Sequence, residues 1–297
     1  MTSPPSPRGG SQLRAIFYMC LATVLLFPLL NATVKLLGEN FTVWQIVWVR
    51  SVLHLAVMLA LCAPGYGLVR VFITKRPLLQ LTRAALQTGA MYFFMSALVT
   101  LPLATVTSIT FTAAFMVVML SIPMLGERVG VRRWAAVLVG FAGAIIIIRP
   151  GGDIATWPAI MALGAALCYA FFQILTRKLA PYDDTRVTAV YTVLVTLVVS
   201  SGIAPFAMAW PDDTNTWLLF LALGLLGGFS HYFFIKAYET GEASMLTPFD
   251  YGQLVGATLL GYFIWGDFPD SWTWLGIGII ICSGIYIGHR EARRKPT

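Results

Sequence analysis

Ten apolar segments run through this chain, each close to the span of about 20 residues with which an α-helix crosses a bilayer. They are expected at 13–37, 43–63, 79–101, 103–124, 131–149, 156–179, 186–209, 216–238, 245–265 and 272–289. A helix bundle suits them, because backbone polar groups in hydrocarbon have to be hydrogen-bonded within their own segment. The 297 residues are 58% hydrophobic and 11% charged, with a mean hydropathy of +0.78, which leaves no room for a sizeable soluble domain. The expected fold class is an all-α membrane protein of ten transmembrane helices, with the lipid bilayer as its surroundings.

A net charge of +7 would suit nucleic acid if it lay on one polar face, but the basic residues sit in short loops between apolar spans. With both termini in the cytoplasm, seventeen Lys and Arg fall on the cytoplasmic side, and only Lys35 and Arg149 on the other. Arg50 lies inside helix 2. Such an imbalance orients the chain, and omitting one helix would scramble it. Residues 1–12, MTSPPSPRGGSQ, read as a disordered cytoplasmic tail, and 290–297 as a basic one. The first apolar run has no small-residue cleavage site and is expected to be retained. Cys20, Cys62, Cys168 and Cys282 stand alone in apolar segments, so neither a metal site nor a cofactor is expected.

The chain also matches itself. Tyr92-Phe93-Phe94, Ala97, Thr100, Thr107, Leu120, Gly126 and Trp134 recur 140 positions later as Tyr232-Phe233-Phe234, Ala237, Thr240, Thr247, Leu260, Gly266 and Trp274. Glu127 recurs as Asp267, and a two-residue shift aligns Asn31 and Lys35 with Gln173 and Arg177. Five helices separate the copies, an odd number, so the two halves, 13–149 and 156–289, are expected to be inverted five-helix repeats. Inverted repeats build many secondary transporters, with a site near the midplane between the halves.

Two five-helix halves, Trp48-Val49-Arg50-Ser51 in helix 2, and the paired ends Leu125-Gly126-Glu127 and Trp265-Gly266-Asp267 resemble the EamA-type drug/metabolite transporter superfamily. Pro248-Phe249-Asp250-Tyr251-Gly252-Gln253 and Trp274-Leu275-Gly276 are similar to a bacterial subgroup of S-adenosylmethionine and riboflavin importers. Neighbouring members export amino acids. The resemblance implies a multi-pass transporter of the bacterial inner membrane. Asp267 departs from Glu127 but keeps the acid.

Arg50 is a cation within a span, costly there unless it faces a cavity or a partner. It reads as a structural ion pair or as an anchor for a substrate carboxylate or carbonyl. His54, one turn on, shares its face as a second donor or proton carrier. Asp250, early in helix 9, reads as a helix cap or as a group for substrate or proton, and Tyr251 and Gln253 lie beside it. His231 and Tyr232 on helix 8, with Tyr92 and Phe93 on helix 3, offer aromatic walls that suit a cationic or planar ligand. Asn31, Gln87 and Gln173 complete a polar ring, or serve as interhelical glue. Glu239 is a further proton candidate, or pairs with Lys236 at the surface.

Among function classes, a primary pump would need a phosphate-binding loop, and none is present. A membrane-embedded enzyme is opposed by three scattered histidines, His54, His231 and His289, and by the lack of any H-E-x-x-H. A secondary transporter of a small organic metabolite is the leading expectation. Arg50 opposite Asp250 suits an amino-acid-like or S-adenosylmethionine-like zwitterion. Riboflavin import and amino-acid or drug export are the alternatives. The expected partner is a small-molecule substrate, with proton coupling, uniport and exchange as open alternatives. The spacings Gly224-x3-Gly228, Gly252-x3-Gly256 and Gly284-x3-Gly288 serve packing in a monomer, or a homodimer face.

Overall fold

The computed structural model describes residues 9–62, 66–126, 130–149, 156–203, 208–241, 246 and 249–292. Among them there is no strand, and ten helical units follow in order. α1 comprises Gly9–Cys20, a wider π turn Leu21–Leu26, and Phe27–Leu37. α2 is Val43–Cys62 and α3 is Pro77–Thr100, with a 3-10 turn Arg70–Phe72 between them. α4 has two pieces, Leu103–Thr110 and Ala113–Leu125. Then come α5 (Val131–Ile148), α6 (Thr156–Leu179) and α7 (Thr185–Ser201). α8 (Thr214–Thr240), α9 (Gly252–Trp265) and α10 (Ser271–Ala292) complete the chain. Gln12–Leu37, Val43–Leu61, Leu103–Leu125, Trp157–Leu179 and Thr214–Tyr238 are long and apolar enough to cross a membrane by length and composition.

Four boundaries differ from the sequence reading. α1 starts at Gly9, inside the tail expected to be disordered over 1–12, because adding a turn to an existing helix gains a bond per residue fixed. α10 likewise runs to Ala292, past the expected end at 289. α7 stops at Ser201 instead of 209, where Gly202 and the sequence's Pro205 disfavour further turns. The expected 245–265 segment is interrupted by a turn at Tyr251, with helical Leu246, Phe249 and Asp250 before it and Gly252–Trp265 after it, and the expected Thr247-Pro248 start lies outside the described residues.

Local chemistry explains the breaks. Gly126 and Gly266 close α4 and α9 in the left-handed conformation, at φ 70° and 72°, which a residue without Cβ adopts freely. Pro28 has no N–H for the carbonyl of Val24, and the π turn lies just before it. α9 comes closest there. A Cβ on Gly256 would collide with the Val24 carbonyl and the Pro28 ring, and one on Gly252 would press on Val24. Gly224 and Gly228 of α8 lie in the same way against Leu53 and Val57 of α2, and Gly284 against Tyr251. These small-residue spacings are therefore filled from within the chain.

Advancing every helix by five reproduces the main contacts. α3 on α6 becomes α8 on α1, α4 on α6 becomes α9 on α1, and α2 on α8 becomes α7 on α3. The pairs α2–α7, α4–α9 and α5–α10 map onto themselves. Phe111, at the break in α4, lies 140 positions before Tyr251, at the turn into α9. Their rings meet with centroids 4.8 Å apart, so equivalent residues touch across the exchange.

Polar contacts sort the connections to two ends. At one, Lys35 pairs with Asp267 at 3.1 Å and lies over the Trp265 ring, and Arg149 pairs with Asp270 at 2.7 Å. At the other, Asp183 accepts from the Thr74 hydroxyl, the Lys75 N–H at 2.9 Å and the Gln80 amide at 3.3 Å.

Candidate functional site

Two buried arginines show what each environment means. Arg83 of α3, 1% exposed, donates to Gln80 Oε1 at 3.0 Å, Thr176 Oγ1 at 3.3 Å, the Thr188 carbonyl at 2.7 Å and Thr192 Oγ1 at 2.6 Å. Its guanidinium also lies over the Phe172 ring. That is a structural arginine, tying α3 to α6 and α7. Arg50 of α2 is 7% exposed, yet its side chain has one partner, Met91 Sδ of α3 at 2.6 Å. Its Nε has no hydrogen bond, and no ion pair reaches it among the described residues.

The surroundings of Arg50 come from three helices. One turn along α2, the His54 ring stands 4.9 Å from that of His231 on α8, centroid to centroid. His231 Nδ1 lies 2.9 Å from the Gly227 carbonyl, which makes Nδ1 the protonated nitrogen and leaves Nε2 as an acceptor. Phe27 of α1 meets the His231 ring edge-on at 5.2 Å. Gly227 allows the approach, since a Cβ there would stand 3.1 Å from Arg50 Nε and 3.7 Å from His54 Nδ1. Met91 and His231, which both face α2, occupy equivalent positions of the repeat, so the cluster lies where the halves meet.

Other buried polar atoms without partners among the described residues are spread over α1 to α4. Besides Arg50 Nε they are Asn31 Nδ2, His54 Nε2, Gln87 Oε1 and Thr107 Oγ1. Native interiors leave few such groups, and each calls for a partner that water or a ligand can supply. The set mixes donors with acceptors and includes one cation without an ion pair among the described residues. It suits an anionic or carbonyl-rich polar group.

Asp250 is elsewhere. Just before α9 and half-buried, it accepts the Tyr238 hydroxyl at 3.1 Å, with Tyr169 and Tyr251 within electrostatic reach. No direct ion pair joins it to Arg50 among the described residues. Its partner Tyr238 lies two turns along α8 from His231, toward the α9 end.

The other expected residues divide between packing and the cluster. Tyr92 stacks on Trp44 at 4.2 Å, next to Met91, and Phe93 packs on Gly164. Tyr232 packs edge-on to Phe233 and lies under Lys236 Nζ at 5.9 Å. Gln253 and Gln173 are half-buried. The Glu239 side chain lies outside the described residues. Sequence reasoning missed Met91 as a partner, Gly227, Tyr169 and Tyr238. Only Met91 carried a usable signal, as the repeat counterpart of His231.

Comparison with known proteins agrees with the geometry. Residues 11–149 and 156–288 each match the EamA-like transporter family. The riboflavin transporter of Rhizobium johnstonii is 30% identical over 75% of this chain and 74% of its own. The S-adenosylmethionine uptake transporter of Rickettsia prowazekii is 27% identical over 75% and 76%. The pseudopaline exporter of Pseudomonas aeruginosa is 26% identical over 89% and 93%. A solved crystal structure superimposes with a TM-score of 0.66 over 97% of this chain and all of its own, at 20% identity, which shows the fold alone. The chain therefore belongs to the EamA-like transporter family, as a multi-pass membrane protein that acts on a small molecule by transport and not by catalysis.

Proposed function

We propose that this chain is a secondary carrier that holds the carboxylate of a small organic metabolite at Arg50. It exposes that site to each side in turn as the inverted halves, 13–149 and 156–289, rock about it. The observation that carries the reading is the contrast between the two arginines. Arg83 has a protein partner for each arm of its fork, and Arg50 has a thioether and an unsatisfied Nε. A guanidinium prefers bidentate carboxylate or phosphate, and a bound substrate would complete it.

An amino-acid-like or S-adenosylmethionine-like compound fits, since it brings a carboxylate. The Rickettsia prowazekii relative is itself an S-adenosylmethionine uptake transporter. Riboflavin import is the second reading, favoured by the stacked Trp44–Tyr92 pair beside Met91 and by the Rhizobium relative. A flat ring with an imide edge would use the aromatic faces and the unpaired Asn31 and Gln87 amides. The charge imbalance of the loops supports an orientation with both termini cytoplasmic, and the bacterial relatives support an inner-membrane location.

The test is uptake of radiolabelled S-adenosylmethionine, methionine and riboflavin by cells expressing the chain or Arg50→Met. Loss of uptake of a carboxylate-bearing probe is expected. Equal uptake by both chains would overturn the role of Arg50. Riboflavin uptake alone would select the second reading.

A further inference from the structure

Asp250 is the ionisable group that the Arg50 cluster does not use. The side chains found beside it among the described residues are tyrosines. α8 gives the Tyr238 hydroxyl, which donates to Asp250 Oδ2 at 3.1 Å. α6 gives Tyr169, and the turn into α9 gives Tyr251, whose ring rests on Phe111. The π turn of α1 meets the preceding residue, where the Thr23 hydroxyl donates to the Phe249 carbonyl at 2.9 Å. No lysine, arginine or histidine forms an ion pair with the carboxylate among the described residues. Tyrosine hydroxyls supply hydrogen bonds to a carboxylate but do not balance its charge. In the interior of an apolar bundle an unbalanced carboxylate is costly, and a proton is the smallest cation that removes the cost.

The repeat supplies an independent observation. The position equivalent to Asp250 is Thr110, whereas the adjacent equivalents Phe111 and Tyr251 keep an aromatic ring and pack together. The scaffold shared by both halves is thus built without an acid here, and the second half alone carries one. The two histidines are poorer proton carriers. A proton on His54 or His231 would stand beside the Arg50 guanidinium with no counter-anion among the described residues.

We propose that Asp250 is the proton-coupling site of the carrier, separate from the substrate site at Arg50. The carboxylate takes one proton from a hydronium on one side of the membrane and returns it to water on the other. Oδ1 receives the proton, Oδ2 keeps the Tyr238 bond, and no other bond changes. This inference rests on the carrier reading. It assigns to Asp250 the ion whose gradient drives transport, and it removes Asp250 from the substrate contacts.

Two measurements on the full-length chain in proteoliposomes test it. Infrared difference spectra taken through a pH titration are expected to show a protonated-carboxyl stretch that is lost in Asp250→Asn and moves its pH midpoint in Tyr238→Phe. Uptake of S-adenosylmethionine and riboflavin under an imposed pH gradient is expected to lose its gradient response in Asp250→Asn and to regain it in Asp250→Glu. Counterflow of the same probes, which needs no net proton movement, is expected to persist. An unchanged infrared band in Asp250→Asn overturns the proposal. So does a sodium gradient that drives uptake where a pH gradient does not. Loss of counterflow in both Asp250→Asn and Asp250→Glu would place Asp250 in the substrate site instead. If the wild type exchanges neither probe the carrier reading loses its support, while the infrared titration still decides whether Asp250 takes a proton.

Discussion

Replacing each buried arginine by methionine separates function from structure, because the two substitutions are expected to move stability in opposite directions. A cation near the centre of a span costs about 2.5–3.5 kcal/mol on insertion scales. Arg50 offsets that with a single bond to a thioether, worth no more than about 1 kcal/mol net. Arg50→Met is therefore expected to stabilise the chain by about 1.5–2.5 kcal/mol once the lost bond is subtracted from the relieved cost. Arg83→Met removes four hydrogen bonds, roughly 4 kcal/mol at about 1 kcal/mol each. Less is recovered there, since Arg83 lies in the second turn of α3, near a helix end where long cations reach the interface. A net loss of about 1–3 kcal/mol is expected. For transport the order reverses. A charge-assisted bond of about 1.5–3 kcal/mol to the substrate corresponds to a roughly 10- to 150-fold weaker apparent affinity in Arg50→Met. The assay pairs unfolding midpoints in one detergent with uptake kinetics for both variants. A destabilised Arg50→Met that takes up substrate normally would show Arg50 to be structural, and the argument from its missing partners would fail.

Three further outcomes follow from single contacts. Gly227→Ala places a Cβ 3.1 Å from Arg50 Nε, so it is expected to raise the apparent KM while the unfolding midpoint stays level or rises, alanine being the better helix former. Gly256→Val drives a side chain into the Val24 carbonyl and Pro28, with an expected loss of about 1–3 kcal/mol in unfolding experiments, whereas Gly278→Ala, with nothing within 4 Å, serves as the neutral control. Asp270 caps α10 outside the spanning segments, and its bonds from the Thr273 side chain and N–H, then Arg149, hold its carboxyl below the usual range. Its contribution is present above the unfolded pKa of about 4 and disappears as pH falls through the lower folded value. Thermal midpoints recorded from neutral to acidic pH are thus expected to fall less steeply in Asp270→Asn than in the wild type.

The element order was legible because apolar length and loop charge are properties of single segments. Gly126 and Gly266 could be read as helix ends, and each is one, in the same left-handed conformation. What was illegible is which side chains of different helices meet. α2 and α8 are apolar nearly all round, so no periodicity reveals the side turned toward a neighbour. Arg50 and Asp250 were both visible as costly charges, and opposite charges in a bundle invite pairing. The crossing of α8 instead brings His231 to α2 and Tyr238 to Asp250, and two chemistries result where one was expected.

The repeat by itself does not identify the functional residues. Phe111 with Tyr251 and Gly126 with Gly266 keep its pattern and hold the scaffold. Arg50, His231 and Asp250 break it, standing opposite Val190, Met91 and Thr110 at the same offset. Arg83 breaks it too, opposite Leu223, and is nonetheless structural by every bond it makes. A second criterion is therefore needed, whether the protein satisfies the group it has buried. Arg83 passes, and so leaves the set. Arg50 lacks bonds that protein has not supplied, and Asp250 lacks a counter-charge, so the two groups call for different ligands. One calls for an anion large enough to bridge a guanidinium and nearby amides, the other for a cation small enough to sit among tyrosines. On the carrier reading proposed above, a substrate anion meets the first requirement and a proton the second.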